Sequence, residues 1–252
     1  MRYGTTYNSQ YVIGMLKTTH LTKNFGQLTA VNDLSFEVKE GQIYGIAGPN
    51  GAGKSTVFNL ITGFYPYEGK IEFEGRDISG LPPYRIAKAG IARTFQIPQT
   101  FPSLSVHRSI CVGSRFGAPG GLDTAHVEEI LRFVDLEKER YQKTGLLSLL
   151  GKKKLMIGAA LATKPRILML DEPMAGLNAL EIKAMMDLIR RVNSDLGITV
   201  VIIEHFMKVL TDLTETLLII ETGRMICCDE PEIAANNPQV IECYLGETYV
   251  EC

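Results

Sequence analysis

The sequence predicts an α/β domain whose central sheet is buried on both faces and carries a phosphate-binding loop. Two stretches point there. Gly48-Pro49-Asn50-Gly51-Ala52-Gly53-Lys54-Ser55-Thr56 has the form G-x-x-x-x-G-K-[ST], between an apolar run at 42–47 that reads as a strand and a run at 57–62 that reads as a helix. The short apolar run Ile167-Leu168-Met169-Leu170 suits a strand covered from both sides.

Bulk properties set the frame. A chain of 252 residues can bury a sizeable core as one large domain, or a domain with a subdomain. Hydrophobic residues at 45% and charged residues at 21% are ordinary for a globular protein. A net charge of -2 gives no reason to expect nucleic acid or an anionic membrane as a bulk partner. No apolar run approaches the roughly 18 residues of a membrane span, and the N-terminus lacks the apolar centre of a secretory signal. The five cysteines, Cys111, Cys227, Cys228, Cys243 and Cys252, show no C-x-x-C spacing and read as reduced thiols of a cytosolic protein.

Taken in order, residues 1–14 are polar and aperiodic and read as a tail; Met15 is an alternative start. Two β runs follow at 16–21 and 34–38. After the phosphate loop, residues 69–75 alternate with period two between glycines, which reads as a half-buried strand of an antiparallel sheet. Residues 82–89 open with prolines as a short helix does, and 91–96 form another strand. A helical pattern then runs from about 97 to 163, with helices at 106–112, 125–134 and 155–161 and a glycine-rich loop at 117–121. Beyond the apolar strand come a helix at 179–194, a strand at 198–203, a short helix, and a hairpin pairing 217–220 with 224–227. Two short helices close the chain, one with Pro231 behind a possible Asp229 cap, the other starting at Pro238 after Asn237.

The chemistry starts at the loop. Glycines let the backbone turn its N–H groups toward phosphate oxygens, and the helix N-terminus adds positive potential. Lys54 would reach the β- and γ-phosphates, Ser55 would hold Mg2+, and Thr56 would support the α-phosphate side. The strand at 167–170 ends in Asp171-Glu172, and ligands of open α/β sheets bind beyond such strand ends. Asp171 suits an outer-shell Mg2+ ligand, and Glu172 suits a base that orients an attacking water. Glu204-His205 ends a neighbouring apolar strand, where His205 could contact the γ-phosphate. Gln96 supplies a third polar group at the same edge.

In order and spacing, Gly48–Thr56, Gln96, Leu147-Ser148, Asp171-Glu172, Ala175-Gly176-Leu177-Asn178 and His205 resemble an ABC-transporter ATPase subunit. The resemblance covers nearly all of 15–247, with a second tail at 248–252. It implies a RecA-like P-loop core, an antiparallel β subdomain and an inserted helical subdomain at about 97–163. It implies ATP and Mg2+ as cofactors, with Gly48, Asn50, Gly51, Gly53, Lys54, Ser55 and Thr56 on the nucleotide. It also implies Phe25 stacked on adenine, with core packing as the plain alternative for Phe25. Metal contacts fall to Ser55, Gln96 and Asp171, and catalytic roles to Glu172, His205 and Gln96. Arg93-Thr94-Phe95-Gln96, Asp171 to Asn178, Ile203-Glu204-His205 and the run 237–246 look like the ATP-binding subunits of branched-chain amino-acid importers. Urea and short-amide importers share that pattern. The implied partners are a second ATPase chain, membrane permeases and an external binding protein, with the chain peripheral on the cytoplasmic face. Cargo selectivity would reside in the permease and the binding protein.

The sequence departs from the family at one motif. Where L-S-G-G-Q or L-S-Y-G-Q is usual, Leu147-Ser148-Leu149-Leu150-Gly151 stands here, and Lys152-Lys153-Lys154 follows. A side chain in place of the glycine that approaches the γ-phosphate obstructs that approach. Ala159 replaces the usual arginine of the following helix, Phe206 replaces the Asp after the switch His, and Thr214-Glu215-Thr216 stands where an Asp-Arg pair is usual. In the family each ATP lies between one chain's loop and the other chain's signature. Three explanations stand: an asymmetric heterodimer, which is favoured; a drifted chain that binds ATP with little turnover; or Ser148 and Gly151 re-registered to do the work. The lysine run reads as a solvated helix face. The energy-coupling subunit competes with a regulatory nucleotide-binding module and with an ABC ATPase outside transport. The short helical block argues against the last.

Overall fold

The computed structural model describes residues 14–248. The predicted tails lie outside that range except for Gly14 and Thr248, and Thr248 ends a helix rather than opening a tail. Two sheets make up the fold. The first is antiparallel: β1 (Leu16–Phe25), β2 (Leu28–Val38), β4 (Glu68–Phe73) and β5 (Arg76–Asp77), in the order β2-β1-β4-β5. The second contains β3 (Ile43–Ala47), β6 (Ile91–Arg93), β7 (Ile167–Asp171), β8 (Thr199–Ile203), β9 (Thr216–Glu221) and β10 (Arg224–Asp229), in the order β10-β9-β3-β8-β7-β6. Only β10, on the edge, runs antiparallel to its neighbour.

Why these strands are so apolar follows from what covers them. In β7, Leu168 and Leu170 enter one core cluster and Ile167 and Met169 the other. In β8, Val200 and Ile202 likewise separate from Val201 and Ile203. Alternate residues of a strand point to opposite faces, so a sheet covered on both sides needs continuous apolar runs. One face packs on helices; the other packs on α1 (Lys54–Ile61) and the antiparallel sheet.

The inserted helices are α3 (Val106–Gly117), α4 (Thr124–Phe133) and α5 (Leu149–Leu161), after the short α2 (Pro83–Ala89). Helix α5 starts six residues earlier than its apolar pattern predicts, because Ser148 caps it by accepting from the Gly151 N–H at 3.1 Å. Helix α6 (Ala179–Ser194) has the predicted bounds and opens with a capping box of Asn178 and Glu181. The chain ends with α7 (Met207–Leu213), α8 (Pro231–Ala235) and α9 (Pro238–Thr248). Two local readings change. Strand β6 stops at Arg93, so Gln96 sits on the loop beyond it. The N-cap of α8 is Glu230, not Asp229, whose carboxylate instead accepts from the Glu230 N–H.

The turn between β9 and β10 meets both sheets. Gly223 N–H donates to the Ala52 carbonyl in the phosphate loop, and the Gly223 carbonyl accepts from the Asn32 N–H of β2, both at 2.9 Å.

Candidate nucleotide site

Strands β3, β8, β7 and β6 are neighbours and parallel, so their C-terminal ends form one edge. That edge brings together the loop after Ala47, His205 after β8, Asp171-Glu172 at the end of β7, and Gln96 after β6. The sequence-predicted residues converge because the sheet order puts them side by side.

The loop is shaped by close backbone approach. A methyl at Gly48 (φ 149°) would sit 1.9 Å from the Ile220 carbonyl oxygen. One at Gly53 (φ 102°) would sit 2.3 Å from the Ala30 carbonyl oxygen. Both positions demand glycine. Gly51 instead opens on free space, and Asn50 beside it is exposed. Helix α1 begins at Gly53 with no side-chain cap, so its leading N–H groups suit an anion. Lys54 is buried, and its Nζ donates to the Gly48 and Pro49 carbonyls at 2.6 and 2.8 Å. Ser55 is exposed and Thr56 half-buried on the first turn.

Asp171 is buried beside Arg93. Arg93 Nη2 donates to Asp171 Oδ2 at 2.7 Å, while Nη1 donates to Asn59 Oδ1 at 2.7 Å and Thr62 Oγ1 at 3.2 Å. Burial raises the Asp171 pKa and the Arg93 contact opposes that rise. The remaining oxygen, Oδ1, is buried and has no partner among the described residues. An orphaned carboxylate oxygen fits a hard cation, and with the Ser55 hydroxyl it makes an oxygen donor set suited to Mg2+.

Glu172 has both carboxylate oxygens engaged. His205 Nε2 stands 2.7 Å from Oε1, and Gln96 Nε2 donates to Oε2. The backbone of Glu172 is left-handed (φ 47°), rare for a residue with a side chain and frequent at functional sites. Each oxygen keeps a second lone pair, so the group can accept a water proton while held by its two neighbours.

Phe25 is 42% exposed at the β1–β2 turn, edge-on to Tyr65 at 5.3 Å. The core-packing alternative for it is therefore wrong, and its ring is open to a planar partner. The lysine run is not a solvated face. Lys153 is buried with its Nζ donating to the Glu172 carbonyl at 3.1 Å, and Lys154 pairs with Asp135 at 3.0 Å. At the aberrant motif Ser148 and Leu149 are exposed, Leu150 packs partly on the core and Gly151 is buried. A Leu149 methyl stands 3.0 Å from where a Cβ on Gly176 would be. Thr214 and Glu215 make their side-chain bonds to the Leu210 carbonyl and the Ile43 N–H.

Three residues escaped assignment from sequence. Arg93 left a signal: a lone cation on an otherwise apolar strand needs a buried anion. Lys153 shares a helical stripe with Ile157 and Leu161, at i, i+4 and i+8, which marks it as inward-facing. Glu204, 1% exposed, accepts from the Met174 and His205 N–H groups.

A glycine-shaped loop on a helix N-terminus, facing carboxylates at parallel strand ends, defines a P-loop nucleotide-binding protein. The family model described as "ABC transporter" matches residues 31–175. The chain is 36% identical over 250 residues to the high-affinity branched-chain amino acid transport ATP-binding protein BraF of Pseudomonas aeruginosa, covering 92% of this chain and 98% of that one. It is 33% identical over 254 residues to a probable branched-chain amino acid transport ATP-binding protein LivG of Archaeoglobus fulgidus, covering 94% and 98%. Among solved structures, the ADP conformation of MJ1267, an ATP-binding cassette of an ABC transporter, aligns with a TM-score of 0.85 at 31% identity over 92% of this chain and 99% of that one. The chain belongs to the ABC transporter family, as an ATP-binding and ATP-hydrolysing cassette coupled to transport. That bears out the energy-coupling reading over the regulatory one.

Proposed function

We propose that this cassette energises an importer of branched-chain amino acids or a related small amide. The convergence of Lys54, Asp171, Glu172, Gln96 and His205 on one sheet edge carries the proposal. The names borne by its relatives, branched-chain amino acid transport ATP-binding proteins, support the cargo class.

In this reading the N–H groups of the loop and of the first turn of α1 bind the phosphates of ATP, and Lys54 carries charge to the β- and γ-phosphates. Phe25 stacks on the adenine. Ser55, Asp171 and Gln96 would hold Mg2+, which supplies charge neutralisation at the β- and γ-oxygens when bound. Glu172 accepts a proton from the attacking water and fixes its line of approach to the γ-phosphate. His205 and Gln96 keep the Glu172 carboxylate pointed at that water.

The partners follow the same logic. No helix among the described residues is long and apolar enough to cross a membrane, so permeases would supply the path and the cassette would sit on their cytoplasmic face. A groove of about 350 Å3 between α2, β6 and α5 is lined by Phe64, Phe95 and Met156, with Ile97 and Phe101 exposed nearby. Apolar and adjoining the Gln96 loop, it suits a permease segment. Closure of two cassettes on ATP would reach the permease through that loop and the 97–163 block.

The second cassette is most simply a different chain. Leu149 and Leu150 place side chains where the family presents glycine, and the Ser148 hydroxyl already caps α5. This chain's own loop would work with a partner's intact signature, while the reciprocal site would turn over poorly.

Deleting the gene should abolish high-affinity uptake of labelled leucine, isoleucine and valine. The wild-type gene should restore it, and Glu172→Gln should not; unchanged uptake in the deletion overturns the cargo class. Purified alone, the chain should hydrolyse ATP sluggishly, and a partner with an intact signature should restore Glu172-dependent turnover. Brisk hydrolysis by the isolated chain, abolished by Glu172→Gln, overturns the asymmetry.

A further inference from the structure

Glu172 keeps its left-handed backbone because its surroundings over-determine it. Its N–H donates to the Ile203 carbonyl at 2.9 Å, and its own carbonyl accepts from the Ala175 N–H at 3.2 Å. Any sequence with this fold could make those two bonds. A third differs in kind: Lys153 Nζ, 3.1 Å from the same carbonyl, comes from a side chain on another element.

Lys153 is 3% exposed, and burial lowers its pKa. A lysine is taken out of water at considerable cost unless its charge is used. Here it lies among acids: Glu204 and Glu172 both act on it electrostatically. Glu204 ties the neighbouring strands, accepting from Met174 N–H at 2.7 Å and His205 N–H at 3.3 Å. One carboxylate thus holds the segment after Glu172 and the residue that bonds the Glu172 side chain. One ammonium holds Glu172 itself.

Resting on the reading of Glu172 as the base, we propose that Lys153 is a positioning residue for hydrolysis. It fixes the Glu172 carbonyl, so that the carboxylate is aimed between Gln96 and His205. Lys153 sits in the second turn of α5, the helix that Ser148 caps at the aberrant motif. Axial movement of α5 therefore reaches the catalytic carboxylate of the same chain directly, through one hydrogen bond. The motif that meets the partner and the base that meets the water are joined by a rigid rod.

The competing role is simpler: Lys153 is only a counter-ion to Glu204. The two roles separate when both charges are removed. Steady-state turnover of the assembled transporter, affinity for a fluorescent ATP analogue, and thermal midpoint are measured for wild type, Lys153→Met, Lys153→Arg, Lys153→Met with Glu204→Gln, and Glu172→Gln. Positioning predicts that Lys153→Met lowers kcat on the order of ten- to a hundred-fold, with nucleotide affinity and KM within about two-fold of wild type. The double neutral variant recovers the thermal midpoint but not kcat, and Lys153→Arg recovers much of kcat. If kcat returns together with the midpoint in the double variant, Lys153 is a counter-ion and the proposal falls. It falls equally if Lys153→Met raises KM and leaves kcat alone. Should Glu172→Gln turn over like wild type, the assignment of the base is at fault instead.

Discussion

Burial of Glu204 has a measurable consequence for stability. Its carboxyl faces Lys153 on α5 and Glu172 beyond β7, and burial pushes its pKa from 4.5 up to about 7. A carboxyl with a raised folded pKa takes up a proton on folding in the interval between the two values. Its contribution is therefore complete below about pH 4.5 and is lost as pH rises through about 7. That interval corresponds to roughly 3 kcal/mol, most of it between about pH 5 and pH 8. Glu204→Gln removes the titration, and the amide oxygen still accepts from the Met174 N–H. Urea unfolding of both proteins at those two pH values isolates the effect, because other groups titrate alike in each. The variant should gain roughly 2–3 kcal/mol on wild type between the lower and the higher pH. A wild-type-to-variant difference that is the same at both pH values would refute the reasoning.

Two further outcomes follow from the site. Arg93→Met strands Asp171 without its buried cation and should cost about 3–5 kcal/mol in urea unfolding. Arg93→Lys should recover only part, since an ammonium cannot span Asp171, Asn59 and Thr62 as the guanidinium does. Gly48→Ala drives a methyl against the Ile220 carbonyl, so equilibrium binding of ATP should weaken by roughly ten-fold or more while the sheet core stays folded.

What could be read from sequence was what is local. The phosphate loop announces itself because glycines, lysine and hydroxyl are contiguous and the flanking periodicity switches from strand to helix. Helix α6 was legible to its ends because Asn178 and Glu181 cap it within one turn. Strands β7 and β8 were legible because burial on two faces leaves no room for polar residues. What escaped depends on partners distant in the chain. Arg93 meets Asp171 across 78 positions, and nothing near Arg93 names that carboxylate. Lys153 lies between two other lysines, and composition favoured solvent. Only its place on the Ile157 and Leu161 stripe pointed inward. Glu204 reads as an ordinary acid until the β7–β8 pairing brings the Met174 N–H onto it.

The β9–β10 turn remains. Gly223 hydrogen-bonds the phosphate loop with its N–H and β2 with its carbonyl, while belonging to the parallel sheet. It works as a rivet through three layers. A tilt of the antiparallel sheet against the parallel one cannot occur without shear at Ala52, in the middle of the loop. Conversely, whatever tightens the loop stiffens the joint between the sheets. A substitution at this outlying turn is therefore felt first as slack around the phosphates, although Gly223 itself need never touch them.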